Sequence, residues 1–353
     1  MGGTGAEAVA RRFCADGKVQ NVEPHPGGHI HETFLVRAGS TELVLQRLNT
    51  MVFQDPVQMM DNVLRVTTHL QRTGRAGVAE IVPSCDGAPL VYDDEARPWR
   101  AFRRVPGAVS HAVVGGAATA REVGKAFGRF FAAVQDLPGR PLEEAIPGFK
   151  DFSRRKDDFE FLVDLDPFGR GGLCRREIED VRHHHRMIKT LDQAVGSGRL
   201  PVRIVHNDAK AANALLDEQT GEAVCVVDLD TVAPGTVLFD VGDVLRSATV
   251  TVPEDGDPAG VGIRDNQVEA AIRGFLGEAG DLLTNGERAM IPLAGPLMAY
   301  ESAMRFLTDF LAGDVYFRID RPSHNLDRTR AQIRILEALD RAGDRVAALA
   351  AGA

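Results

Sequence analysis

Residues 204–230 read IVHNDAKAANALLDEQTGEAVCVVDLD, and the two halves of this stretch share one design. Two short apolar runs, Arg203 to Val205 and Ala223 to Val227, have the length and β-branched content of buried strands. The first delivers His206-Asn207-Asp208 at its end, followed by Lys210 and Asn213. The second delivers Asp228 directly. Taken singly, either aspartate could be ordinary turn chemistry at a strand end; the ordered set asks for a chemical reason.

The separation Asp208-x-x-x-x-Asn213 is that of a phosphoryl-transfer loop, in which an aspartate takes the proton of the attacking hydroxyl and the asparagine holds magnesium. In that reaction charge spreads over the phosphate oxygens. A site therefore needs hard oxygen ligands for Mg²⁺, a base beside the acceptor hydroxyl and a nearby cation. Asn213 and Asp228 suit the first need as metal ligands, Asp208 the second and Lys210 the third.

His206-Asn207-Asp208, Asn213 and Asp228, followed by Gly235 and the Asp240-x-x-Asp243 pair, resemble the aminoglycoside phosphotransferase group of small-molecule kinases. Within that group the chain is similar to the N-acetylhexosamine 1-kinases. The similarity runs through GGHIHETFLV, VLQRLNTMVFQDP, IPGFKD, HNDAKAANALL, VVDLDTVAPG and RFLTDFLAGDVYFRI with HNLDR, which span roughly residues 25 to 340. The resemblance implies an α+β, bilobal protein-kinase-like fold. Residues 1–105 would form a small β-rich nucleotide-binding N-lobe with one main helix, and residues 106–353 a larger, mostly α-helical catalytic and substrate-binding C-lobe. It further implies ATP as co-substrate, Mg²⁺ as cofactor and a small-molecule sugar, GlcNAc or GalNAc, phosphorylated on its anomeric C1 hydroxyl. The loop motif is specific for the fold and weak for the acceptor, so a kinase of an aminoglycoside, choline or homoserine is the alternative, with a non-catalytic nucleotide-binding module as the rival from another class.

Composition narrows the partners. A formal net charge of -9 over 353 residues argues against nucleic acid or an anionic membrane as the main partner, since both reward a basic face. Cys14, Cys85, Cys174 and Cys225 are scattered without a C-x-x-C pair, which reads as reduced thiols in a cytoplasmic protein. The start MGGTGAEAVARRF has no long apolar core of a targeting signal, and no run of about twenty apolar residues occurs to span a bilayer.

Upstream of the loop, Val19 to Leu48 reads as strands broken at Pro26-Gly27-Gly28, with His29 to Val36 as the second strand. In a kinase-like lobe Gly27 and Gly28 would let backbone N–H groups approach the nucleotide phosphates. The third strand, Thr41 to Leu48, carries Gln46 and Arg47 where protein kinases place a lysine, and the two point to opposite faces. The residues leave open which one faces the nucleotide; the resemblance favours Gln46. Asp55-Pro56 starts a helix to about Gln71 that offers Asp61 but no glutamate, so the lysine–glutamate pair of regulated kinases is expected to be missing. Phe102 to Gly107 reads as the hinge, with Phe102 and Arg103 at the adenine edge; a solvated strand face is the other reading of Arg103.

Downstream, Ala117 to Val134 carries a core-facing apolar stripe, and His183-His184-His185 point in three directions, which argues for a solvated face rather than zinc. Asp240 is expected to brace the catalytic loop through its backbone N–H groups. Thr284-x-x-Glu287 is a capping box that opens a helix to Leu311, on which Glu301, Arg305 and Asp309 recur every four residues. That recurrence reads as an ion-pair ladder, whereas the resemblance implies that Arg305 reaches the sugar with Tyr316 at its edge. It likewise implies His31 and Asp230 on the substrate side, with a surface histidine and turn chemistry as the plain readings. Ser323 to Ala348 reads as one final amphipathic helix.

Overall fold

Alternation of apolar and polar residues carries the first third of the chain into an antiparallel sheet. The computed structural model describes residues 3–14, 19–25, 30–252 and 256–352, and the statements below concern these; Gly27 and Gly28 lie outside them. A short helix α1 (Gly3–Ala10) precedes the meander β1 (Val19–Pro24), β2 (Glu32–Ala38) and β3 (Thr41–Arg47). Helix α2 (Pro56–Thr73) follows, then β4 (Ile81–Val82), β5 (Val91–Tyr92) and β6 (Pro98–Arg103). The strand order is β1-β2-β3-β6-β4, with β5 also paired to β6. Phe34, Val36, Leu43 and Leu45 alternate inward to meet Trp99 and Ala101, and α1 closes this core with Ala6, Val9 and Ala10. The second strand begins at Glu32, with Ile30 and His31 in a bend just before it, while His29 lies outside the described residues.

Helix α2 shows why its ends were readable. Asp55 accepts from the N–H groups of Val57 and Gln58, Pro56 occupies the first helical position, and Gly74 ends the helix in the left-handed conformation. Its inner face belongs elsewhere, however: Val63, Val66 and Leu70 pack into the core of the C-lobe, not that of the sheet.

The C-lobe opens with β7 (Ala108–Val109) and α3 (Ala117–Val134), followed by α4 (Phe152–Leu165), α5 (Arg175–His183) and α6 (Arg186–Gly196). Four short strands then frame the site: β8 (Arg203–Val205), β9 (Ala214–Asp217), β10 (Ala223–Val226) and β11 (Ala233–Gly235). They pair as β10-β9-β7 and as β11-β8, so both carboxylate-bearing turns emerge from antiparallel ladders. Helices α7 (Val237–Ala248), α8 (Asp265–Ala279), α9 (Asn285–Leu311), α10 (His324–Arg341) and α11 (Gly343–Ala351) complete the lobe. Where α3 crosses α8 a side chain at Gly124 would strike the Ala271 carbonyl and one at Gly274 the Arg121 carbonyl, so these glycines set the helix separation.

The structure corrects two expectations here. The final helix is two, because the run breaks at Ala342-Gly343, where Ala342 both ends α10 and begins α11. The histidine trio is also not a solvated face throughout: His185 is held between Glu160, at 2.9 Å, and the hydroxyl of Tyr300, at 2.7 Å.

Candidate active site

The catalytic loop is assembled from behind by one carboxylate. Asp240, in the first turn of α7 and fully buried, accepts from the backbone N–H of His206 at 2.8 Å and of Asn207 at 2.9 Å. Burial pushes the Asp240 carboxyl up to about 6, against the pull of His206 and of the two N–H bonds. Asn207 adopts a left-handed backbone (φ 65°) that turns the chain toward Asp208, and its side chain donates to the Thr231 carbonyl at 3.0 Å. Thr231 returns a bond to the His206 carbonyl at 2.8 Å. The two carboxylate-bearing turns are thereby stitched together.

Asp208 lies at the mouth of this frame with its side chain about a quarter exposed. Lys210 Nζ donates to Asp208 Oδ2 at 2.8 Å, and Asn213 Nδ2 donates to the same oxygen at 3.0 Å. Burial opposes ionisation of Asp208, but Lys210, His206 and Lys150 more than offset it and hold the carboxyl below its ordinary value. It is an ionised group with one oxygen, Oδ1, left to meet a hydroxyl.

Asp228 has the left-handed backbone of a residue that must turn sharply (φ 63°) and is open to the cleft. Enclosure by protein mass, then the charges of Asp230 and Asp208, push its carboxyl up, with Lys210 acting the other way. The Asn213 amide nitrogen is spent on Asp208, which leaves its oxygen as the available group. The Val227 N–H donates to the Asn213 backbone carbonyl at 2.9 Å, which brings the two residues' chain segments together, and a carboxylate with an amide oxygen is a hard-oxygen donor set that fits a divalent cation such as Mg²⁺. Among the described residues no three His, Cys, Asp or Glu side chains converge on one point.

The remaining candidates divide. Gln46 faces the lobe interface, accepting from Arg100 Nε at 3.0 Å, while Arg47 turns to the other face, pairs with Glu32 and lies over Trp99 at 5.8 Å. Phe102 is half-buried in β6, where the Arg100 guanidinium sits 4.9 Å from its ring. Arg103 is exposed and ion-paired to Glu80 at 2.6 Å. Asp230 is only 2% exposed, and both its oxygens are committed: Arg100 grips Oδ1 and, at 2.7 Å, Oδ2, while His31 Nε2 reaches Oδ2 at 2.7 Å. Those bonds hold Asp230 well below the ordinary carboxylate range despite its burial. Asp61, the carboxylate of α2, points away to Arg140.

Beside Asp208 lies a cluster that the sequence did not reveal. Fully buried Glu301 is ringed by Lys150, Arg305, Arg155 and Arg246, and Lys150 also stands 3.8 Å from Asp243. The ladder reading of α9 holds for one rung: Arg305 lies 3.5 Å from Glu301, but Asp309 turns away. It accepts instead from the N–H groups of Val315, Tyr316 and Phe317 at 2.8 to 3.0 Å and from Asn325 at 2.9 Å. This folds an aromatic collar onto Arg305, whose guanidinium sits 5.4 Å from Phe149, 5.5 Å from Tyr316 and 5.2 Å from Phe317. Arg100, Lys150, Arg155 and Arg246 are the residues around the site that sequence reading missed. An arginine inside the otherwise apolar run Trp99 to Phe102 was the one available signal, since a buried guanidinium demands a carboxylate.

A family model described as phosphotransferase enzyme family matches residues 21–281. Among solved structures the chain is similar to a microcompartment-associated aminopropanol kinase, with 15% identity over 97% of this chain and 98% of that one and a TM-score of 0.64. It is also similar to an aminoglycoside phosphotransferase from Alicyclobacillus acidocaldarius, with 16% identity over 93% of each chain and a TM-score of 0.60. An amicoumacin kinase solved with AMP-PNP and Ca²⁺ matches at 14% identity over 90% of this chain and 89% of that one, with a TM-score of 0.60. At such identities the likeness shows the fold, which is protein-kinase-like with an antiparallel N-lobe and a mostly helical C-lobe.

Proposed function

The chain belongs to the phosphotransferase enzyme family, and from that premise we propose that it is an ATP- and Mg²⁺-dependent kinase of the anomeric C1 hydroxyl of an N-acetylated hexosamine, GlcNAc or GalNAc. The observation that carries the choice of acceptor is the charge beside Asp208. Four cationic side chains, Lys150, Arg155, Arg246 and Arg305, surround Glu301 there, and Asp158, Asp208 and Asp243 lie close enough to act on them, so that four cations meet four carboxylates. A polycationic antibiotic would call for an acidic cleft, and this one has no carboxylate excess. An aromatic collar is the usual seat of a quaternary ammonium, but here the chain's own Arg305 fills it. A neutral acceptor rich in hydroxyl and amide groups suits such a surface.

Asp208 Oδ1 takes the proton of the acceptor hydroxyl as its oxygen attacks the terminal phosphorus. An anomeric hydroxyl is more acidic than an ordinary alcohol, so a carboxylate held ionised by Lys210 is base enough. Lys210 offsets charge gathering on the transferred group, and Arg305 with Tyr316 orients the sugar. Asp228 and Asn213 would hold Mg²⁺, which would supply positive charge against the negative charge of the phosphates. Gln46, Phe102 and Arg103 remain our candidates on the nucleotide side, with the lobes divided near residue 105.

The test is phosphate transfer from ATP with Mg²⁺ to GlcNAc and GalNAc, to their 1-O-methyl glycosides, and to kanamycin, choline and homoserine. Transfer confined to the free sugars is expected; transfer to the methyl glycosides, or to a cationic acceptor alone, overturns the assignment. Asp208→Asn should lower kcat by about a thousandfold or more while leaving nucleotide affinity in place. Unchanged turnover would remove Asp208 from the reaction.

A further inference from the structure

The contacts of Asp230 assign it a place that neither a substrate residue nor a turn residue would need. Arg100 is 1% exposed and stands on β6 directly opposite Gln46 of β3. Its guanidinium meets Asp230 with a two-pronged grip and gives its Nε–H to Gln46, so the fork is aimed by the neighbouring strand. His31 approaches the same carboxylate from the start of β2. Its Nδ1 accepts the backbone N–H of Asn49 at 3.1 Å, which places the ring proton on Nε2 and makes His31 a donor to Asp230 Oδ2. Two side chains of the N-lobe sheet thus close on one carboxylate of the C-lobe, across 130 and 199 residues of sequence.

Asp230 belongs to the single 3₁₀ turn, Leu229–Thr231, that follows Asp228. Fixing Asp230 therefore fixes the backbone that presents Asp228 to the cleft. In protein kinases a strand lysine and a helix glutamate do the comparable work inside the small lobe. Here α2 has no glutamate, its Asp61 faces Arg140, and β3 has Gln46 in place of the lysine.

We propose that Arg100 and His31 are positioning residues: by gripping Asp230 they hold the Asp228 turn in working register with the nucleotide-facing sheet, as a permanent tie between the lobes rather than a regulated one. The proposal rests on the phosphotransferase reading of Asp228 and is independent of the acceptor's identity. His31 and Asp230 then act on the nucleotide side of the reaction and touch no sugar.

The experiment uses the full chain with Arg100→Lys, Arg100→Met and His31→Gln. Three quantities are read: affinity for a non-hydrolysable ATP analogue with and without Mg²⁺ by calorimetry, kcat, and acceptor KM. The tie predicts Mg²⁺-dependent affinity weakened about tenfold and kcat lowered about tenfold or more in Arg100→Met, with acceptor KM within about twofold of the wild type. Arg100→Lys, which keeps the charge and loses the fork, should fall between. Unchanged nucleotide affinity with a raised acceptor KM would overturn the proposal in favour of direct sugar contact. Unchanged values of all three, with only a lowered melting temperature, would overturn it in favour of a purely structural ion pair. Should Arg100→Met fail to fold, Arg100→Lys and His31→Gln decide. Absence of Mg²⁺-dependent nucleotide binding in the wild type would instead count against the phosphotransferase reading of the site.

Discussion

At the scale of single residues, what could be read early was what lay close in the chain. Asp208, Lys210 and Asn213 fall within six consecutive positions, and Asp228 ends the adjacent strand, so one stretch carries the residues of the proposed chemistry. Arg100 was hidden because its partner Asp230 is 130 residues away and only the folded chain brings them together. Asp240 lies between these cases: its bracing role was legible, its altered acidity was not. Burial raises its carboxyl from an ordinary 3.8 to about 6, so the folded chain holds a proton there that the unfolded chain releases. That contribution, on the order of 3 kcal/mol, is fully present below the ordinary value and is lost as pH rises through 6. Asp230 has the opposite sign, since Arg100 and His31 depress its carboxyl and its contribution is lost on acidification. Asp240→Asn keeps the shape but cannot titrate or accept both N–H bonds. The stability gap between wild type and Asp240→Asn, measured by urea unfolding, should widen by about 1 kcal/mol from pH 7.5 to pH 5. A gap that stays constant or narrows would mean that Asp240 does not titrate in this range.

At the scale of elements, starts and stops were written in local chemistry. Asp55-Pro56 begins α2, and the Thr284–Glu287 box begins α9 with both of its reciprocal bonds made. The far end of α9 was less legible because a period of four predicts a neighbour on the helix, whereas Asp309 bonds to a loop that lies beyond it. Three backbone N–H groups and Asn325 satisfy this buried carboxylate, so it shapes residues 315–317 as a cap shapes a helix end. Asp309→Ala should release the aromatic collar from Arg305. We expect a loss of about 2–4 kcal/mol in unfolding free energy and an acceptor KM raised about tenfold, with Mg²⁺-nucleotide affinity unchanged. A KM that does not move would separate the collar from acceptor binding.

At the scale of the whole molecule, the antiparallel N-lobe and the mostly helical C-lobe are not independent bodies. Val63, Val66 and Leu70 of α2 are 1%, 0% and 0% exposed and belong to the same packed cluster as the helices of the C-lobe. Asn62 of the same helix donates to the carbonyls of Glu143 and Val232, and His69 bonds to that of Ala133. Arg100 completes the dependence: without Asp230 its guanidinium would keep, among the described residues, the Gln46 amide oxygen and the weakly accepting Met60 sulfur but no carboxylate, an arrangement that costs several kcal/mol if it stays buried. The sheet's own core, built from side chains such as Phe34, Leu43, Leu45 and Trp99, is small for a free-standing domain. A fragment of residues 1–105 should therefore lack a cooperative urea transition, whereas the full chain should show one. Adding Arg100→Leu to the fragment removes the uncompensated charge but not the exposed face of α2, so it should not restore folding. A sigmoidal transition in the unsubstituted fragment would show that the N-lobe stands alone, and one only in Arg100→Leu would assign the dependence to the buried charge rather than to α2.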